Sequence, residues 1–99
     1  MEIIHLEKEA DFKELIAKED KVLVDFFATW CGPCKMLGPV LEKAESNIKV
    51  IKVDTDEFED LAREYGVMSI PTLVLLENGK EIKRNIGFID KASLENFLK

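Results

Sequence analysis

The sequence predicts an α/β fold in three layers, a mixed central sheet with helices on both faces. Three observations carry this. Apolar periodicity switches repeatedly between strand-like and helix-like spacing, Val22 to Ala28 is apolar enough for a strand buried on both faces, and Asn78-Gly79 separates two β-rich segments. The order read along the chain is β-α-β-α-β-α-β-β-α. Alternating units imply parallel strands joined by right-handed crossovers, and the Asn78-Gly79 hairpin adds an antiparallel edge.

Each element has its own justification. Ile3, Ile4 and Leu6 suit a short first strand, and Phe12, Leu15 and Ile16 recur at helical spacing on a charged segment, an amphipathic surface helix. Lys21 opens the β-branched and aromatic run that ends at Ala28, expected to be the central strand. From Pro33, the residues Cys34, Leu37, Leu41 and Ala44 keep one apolar face. Gly38-Pro39 is expected to weaken or kink that helix, and Asn47 to end it. Ile48 to Val53 reads as a third strand. Asp56 is the expected cap of a helix with inner face Phe58, Leu61, Ala62 and Tyr65, stopped by Gly66. Thr72 to Leu76 and Glu81 to Ile86 flank Asn78-Gly79, whose residues tolerate positive φ. Asp90 then caps a last helix carrying Ala92, Leu94, Phe97 and Leu98.

With 99 residues, 46% hydrophobic, the chain suffices for one compact domain over residues 1–99 and has no room for a second. Twenty acidic residues against 14 basic give a net charge of −6, which repels polyanions, so nucleic acid and anionic membrane are not expected partners. Met1 to His5 lacks the basic and apolar blocks of a leader, and no apolar run approaches about 18 residues. A soluble cytoplasmic monomer is the expectation.

The two cysteines fall in Trp30-Cys31-Gly32-Pro33-Cys34, directly after the central strand and at the head of a helix. In such sheets, sites form beyond the carboxyl ends of strands. A thiol attacks a disulfide only as thiolate, and free cysteine is about 3% ionised at pH 7. At a helix N-terminus, free backbone N–H groups and the positive dipole end favour the anion, which points to Cys31 as nucleophile. Cys34, one turn further in, is expected to be more buried and to act as the resolving thiol. Two other readings compete. A structural disulfide closing so small a ring constrains the unfolded chain by only roughly 2 kcal/mol. A zinc site needs about four ligands, and beyond this pair the chain offers only His5, so no metal and no separate cofactor are expected.

Trp30-Cys31-Gly32-Pro33-Cys34-Lys35 resembles the active-site hexapeptide of the thioredoxin family. Val24-Asp25-Phe26, Pro39, Lys52-Val53-Asp54, Tyr65-Gly66-Val67, Ile70-Pro71-Thr72, Asn78-Gly79 and Gly87 extend the similarity over essentially all 99 residues. Phe27 departs from it where many thioredoxins have a second tryptophan. Met68-Ser69 precedes Ile70-Pro71 in a stretch that varies within the family and tunes partner choice.

The resemblance implies a protein-disulfide reductase, since Gly-Pro between the cysteines is the family's reducing variety; oxidase and isomerase are the within-family alternatives. A nucleophile pKa near 7, as known for thioredoxins, requires about 2 kcal/mol of anion stabilisation and leaves roughly half the thiol ionised. Asp25, in an otherwise apolar run, is implied to be a buried acid that accepts the Cys34 proton, with Lys52 moderating it; the alternative places both in water at a strand edge. Pro71 is implied to be cis beside the cysteines, with the Ile70 backbone pairing to a substrate chain. Trp30, Gly32, Pro33, Ile70, Pro71 and Gly87 would form an apolar docking surface, although turn chemistry or packing also accounts for each. Oxidised proteins are the implied substrates, and thioredoxin reductase or an equivalent electron donor the recycling partner. A binding module whose redox centre is incidental is the rival function.

Overall fold

The computed structural model describes Met1–Lys99 and contains ten elements. In chain order they are β1 (Ile3–His5), a 3-10 turn (Glu9–Asp11), α1 (Phe12–Ala17), β2 (Lys21–Phe27), α2 (Gly32–Lys43), β3 (Lys49–Asp54), α3 (Glu59–Glu64), β4 (Thr72–Glu77), β5 (Lys80–Ile86) and α4 (Lys91–Phe97). The five strands form one sheet in the order β1-β3-β2-β4-β5, so β2 is central as its composition predicts.

Alternation along the strands sorts the core into two layers. Val22, Val24 and Phe26 of β2, Ile51 and Val53 of β3, and Val74 and Leu76 of β4 pack with Phe12 of α1 and Leu61 and Ala62 of α3. The opposite face sets Leu23, Val50, Leu73 and Leu75 against Leu37 and Leu41 of α2 and Leu94 of α4. Burying one such side chain contributes about 1.5–3 kcal/mol, so these layers hold the sheet in a register that a one-residue slip would invert.

The strand directions differ from a simple run of crossovers. β1, β3 and β2 are mutually parallel, but β4 already runs antiparallel to β2, with Phe26 opposite Thr72, and β5 runs antiparallel to β4. The connection between β3 and β4, which carries the six-residue α3, returns the chain to the sheet beside β2 with its direction reversed. The chain re-enters from the edge it has just left.

Two helix boundaries depart from expectation. α2 continues through Pro39 and ends at Lys43, four residues before Asn47. Ala44 is buried in the core and turns extended, while the Met1 ammonium meets the carbonyls of Leu41, Glu42 and Ala44. α3 starts after Phe58 with no side-chain cap, because Asp56 belongs to a tight turn in which its N–H donates to Asp54 Oδ1 at 2.9 Å. The remaining punctuation agrees with the sequence. Gly66 ends α3 at φ 63°, Asn78 and Gly79 turn the hairpin at φ 51° and 81°, and Asp90 accepts the Ser93 N–H at 2.8 Å.

Candidate active site

The loop leaving β2 delivers Cys31 to the N-cap of α2, with extended backbone at φ −85° and ψ 115°. Pro33 sits in the first turn, where a missing N–H costs nothing. Cys31 and Cys34 are joined by a disulfide with their Cα atoms 5.2 Å apart, and the Cys34 N–H donates to Cys31 Sγ at 3.2 Å. One of the otherwise free N–H groups of the helix therefore already points at Cys31 Sγ, a position in which a helix N-terminus favours negative charge. The two cysteines are buried almost equally, Cys31 being 5% exposed and Cys34 4%, in the order the sequence suggests but by too little to separate them. The helix terminus, rather than depth, sets Cys31 apart.

A second segment closes on the pair from β4. The Ile70-Pro71 peptide is cis, and the Ile70 carbonyl oxygen lies 3.9 Å from Cys31 Sγ. Thr72 Oγ1 donates to the Ser69 carbonyl at 2.6 Å, and the Gly87 N–H donates to the Pro71 carbonyl at 2.8 Å. Gly87 has φ 95°, a backbone conformation open to glycine, and Asn85 Nδ2 holds its carbonyl at 3.1 Å. Ile70 packs against Ala28, Cys31 and Cys34 in one small cluster. Gly32 and Pro33 are exposed on the first turn of α2, and nothing lies within 4 Å of where a Gly32 Cβ would be.

Trp30 is 69% exposed, an unusual setting for so large an apolar ring. Its Nε1 donates to Asp56 Oδ2 at 2.8 Å, which ties the loop after β2 to the turn before α3. Met68, two residues before Ile70, is 95% exposed. Asp56 has a role here that sequence reasoning missed. The acidic cluster Asp54, Asp56 and Glu57 beyond a strand end was the available signal, but its pairing with Trp30 spans 26 residues.

Asp25 and Lys52 form a separate inner pair. Asp25 lies between Leu23, packed on α2, and Phe27, packed by the cysteine cluster, so alternation turns its carboxylate to the α2 face. It is 1% exposed, and neither oxygen has a hydrogen-bond partner, Cys34 included. Lys52, its register partner on β3, brings Nζ to 3.8 Å from Oδ2 and to 4.5 Å from the Phe27 ring centroid. Burial lifts the Asp25 pKa to about 6, against a smaller downward pull from Lys52. The strand-edge alternative is excluded by this burial.

No three His, Cys, Asp or Glu side chains gather in a metal-holding arrangement. The two sulfurs are themselves a two-electron couple, which takes up and gives back electrons as one S–S bond forms and breaks.

Residues 2–99 match the family described as Thioredoxin. A thioredoxin of Mycoplasmoides gallisepticum is 41% identical over 98 residues, covering 96% of this chain and 98% of its own. A mutant thioredoxin from Halobacterium salinarum superposes with a TM-score of 0.92 at 36% identity, over 98% of this chain and 88% of that one. A Mycobacterium leprae protein named bifunctional thioredoxin reductase/thioredoxin is 46% identical over 87 residues, which are 84% of this chain and 19% of that protein.

Proposed function

The chain belongs to the thioredoxin family, and from that premise we propose that it is a small WCGPC thioredoxin that reduces the disulfides of other proteins. Thiol-disulfide oxidoreduction through the Cys31–Cys34 pair is the family's activity. In this chain the Cys31 thiolate attacks one sulfur of a substrate disulfide, forming a mixed disulfide and releasing the other sulfur as a thiolate that takes a proton from water. Cys34 loses its proton to Asp25 and attacks Cys31, which restores the Cys31–Cys34 bond and frees the second substrate thiol. Two electrons pass from the dithiol to the substrate.

The observation that carries this reading is the placement of the disulfide: Cys31 Sγ caps α2 beside the Ile70 carbonyl. An extended substrate segment beside Ile70 pairs through main-chain bonds and asks little of its side chains. Trp30, Gly32, Pro33, Ile70, Pro71 and Gly87 supply the surrounding contact surface, and Lys52 tempers the Asp25 carboxylate. A thioredoxin reductase or equivalent donor returns the electrons, a partnership supported by the Mycobacterium leprae relative whose name joins both functions. The proposed setting is a monomer in the cytoplasm, where thiols are kept reduced.

The test is the equilibrium reduction potential of the pair against a dithiothreitol series, read by thiol alkylation. A value close to about −270 mV, the one known for thioredoxin, supports a reductase, and one near about −120 to −180 mV reassigns the chain as oxidant or isomerase. A Cys34→Ser variant should trap mixed disulfides through Cys31; full function in a double cysteine variant would instead mark a binding module.

A further inference from the structure

Asp25 raises a question of access. Its carboxylate is sealed from solvent, has no hydrogen-bond partner, and in the proposed reaction takes one proton per turnover that must leave before the next. The docking side offers a poor exit, since substrate covers the Ile70 and Trp30 loops while the mixed disulfide persists. The structure has a second opening. A cleft of about 120 Å³ lies between α2 and the β1–β3 side of the sheet, lined by Ile3, His5, Gly38, Leu41, Glu42 and Lys52. Lys52 thus touches both compartments, with Nζ 3.8 Å from Asp25 and its side chain in the cleft wall. In the sheet order β1-β3-β2-β4-β5, the cleft and the docking loop lie on opposite sides of β2.

We propose that this cleft is the proton port of Asp25, and that Gly38 is a positioning residue keeping it open. The inference rests on the proposed role of Asp25 as acceptor of the Cys34 proton. Nothing lies within 4 Å of where a Gly38 Cβ would be, so the helix surface there leaves polar-walled room for a few waters beside Lys52. Cys34 S–H gives its proton to the Asp25 carboxylate, the Cys34 sulfur attacks Cys31 and forms the Cys31–Cys34 bond as the Cys31–substrate bond breaks and the substrate leaves as a thiolate, and the Asp25 carboxyl then releases its proton to cleft water while the Lys52 ammonium keeps its own. The charged or titratable groups on this route are Lys52 on β3, His5 on β1 and Glu42 on α2; Leu73, opposite Asp25 on β4, carries none.

The experiment fills the cleft. Single-turnover reduction of insulin by the reduced protein is followed from pH 5 to 9 in the wild type, Gly38→Ala, Gly38→Leu and His5→Phe, with the Asp25 carboxyl titrated by carbon-13 NMR. In Gly38→Leu the saturating rate should fall roughly tenfold, part of what a positioned proton acceptor contributes, with half-saturating insulin unchanged and the Asp25 midpoint moved upward. Gly38→Ala, adding one methyl, should show a smaller effect. His5→Phe changes an exposed strand residue at the cleft mouth, should shift both readouts the same way, and decides the question if the leucine variant does not fold. A wild-type rate and midpoint in the folded plugged variants would overturn the port, as would Gly38→Ala being as slow as Gly38→Leu. Failure of the wild type to reduce insulin would overturn the underlying reading instead.

Discussion

Asp25 and Lys52 sit directly opposite each other on β2 and β3, an acid and a base 3.8 Å apart beneath the active-site helix, with no hydrogen bond to either carboxylate oxygen. At that distance the ammonium offsets only part of what burial costs the carboxylate, and the Asp25 pKa stays at about 6.

The folded pKa of Asp25 is above its unfolded value, so the unfolded state ionises first as pH rises. Stability associated with this group is full below about pH 4 and is lost as pH rises through about 6. A shift of that size corresponds to about 3 kcal/mol at neutral pH. Asp25→Asn recovers part of it, the buried amide remaining unpartnered, so urea unfolding should give a higher midpoint than wild type at pH 8 and little gain at pH 4. Substrate reduction should slow. A lower midpoint at pH 8 with an unchanged rate would sink the assignment.

Removing the cation should move Asp25 the other way. In Lys52→Met the apolar stem over Phe27 is kept and the charge lost, so the Asp25 carboxyl should titrate above its wild-type midpoint of about 6. NMR titration of the carboxyl carbon reads this directly, and an unmoved midpoint would mean that the pair is not coupled.

Trp30 is the chain's one tryptophan, and its indole is held by Asp56. Asp56→Ala should free the ring and change its fluorescence while lowering stability by no more than about 1 kcal/mol, the net worth of an ordinary hydrogen bond. If the ring helps to dock substrate, kcat/KM for insulin should fall several-fold with the unfolding midpoint nearly constant. Unaltered emission and kinetics would assign the contact no role.

Gly66 and Gly87 both have positive φ, at 63° and 95°. Alanine at Gly66 meets a left-handed helical geometry and should cost about 1 kcal/mol with normal redox rates. Gly87→Ala lies further from any conformation a side chain favours and bears on the Gly87–Pro71 hydrogen bond, so it should destabilise more and also slow insulin reduction. Equal effects on turnover from both variants would detach Gly87 from the docking loop.

Local chemistry was readable wherever a single residue decides the outcome. Asn78-Gly79, Gly66 and the Asp90 cap all depend on backbone geometry within four residues, and each stands where the sequence places it. The thiol pair and central strand were equally legible, because C-x-x-C and a doubly buried apolar run are dense signals. The end of α2 was not, since Ala44 leaves the helix to fill a core position that only the assembled sheet defines. Asp56 departs from expectation for a related reason: a carboxylate two residues ahead of an apolar stripe looks like a cap, and its true partner, Trp30, is remote in sequence. The direction of β4 was not legible either, because the six-residue α1 joins parallel strands and the six-residue α3 joins antiparallel ones, so helix length alone does not decide it.

Only 5% of Cys31 is exposed, at the head of α2 with Ala28 and Ile70 packed around it. Whatever delivers electrons and whatever removes them must therefore stand in the same place, one after the other. The molecule behaves as a ferry with a single landing: its two classes of visitor compete, and throughput depends on how soon each departs as much as on how fast sulfur attacks sulfur.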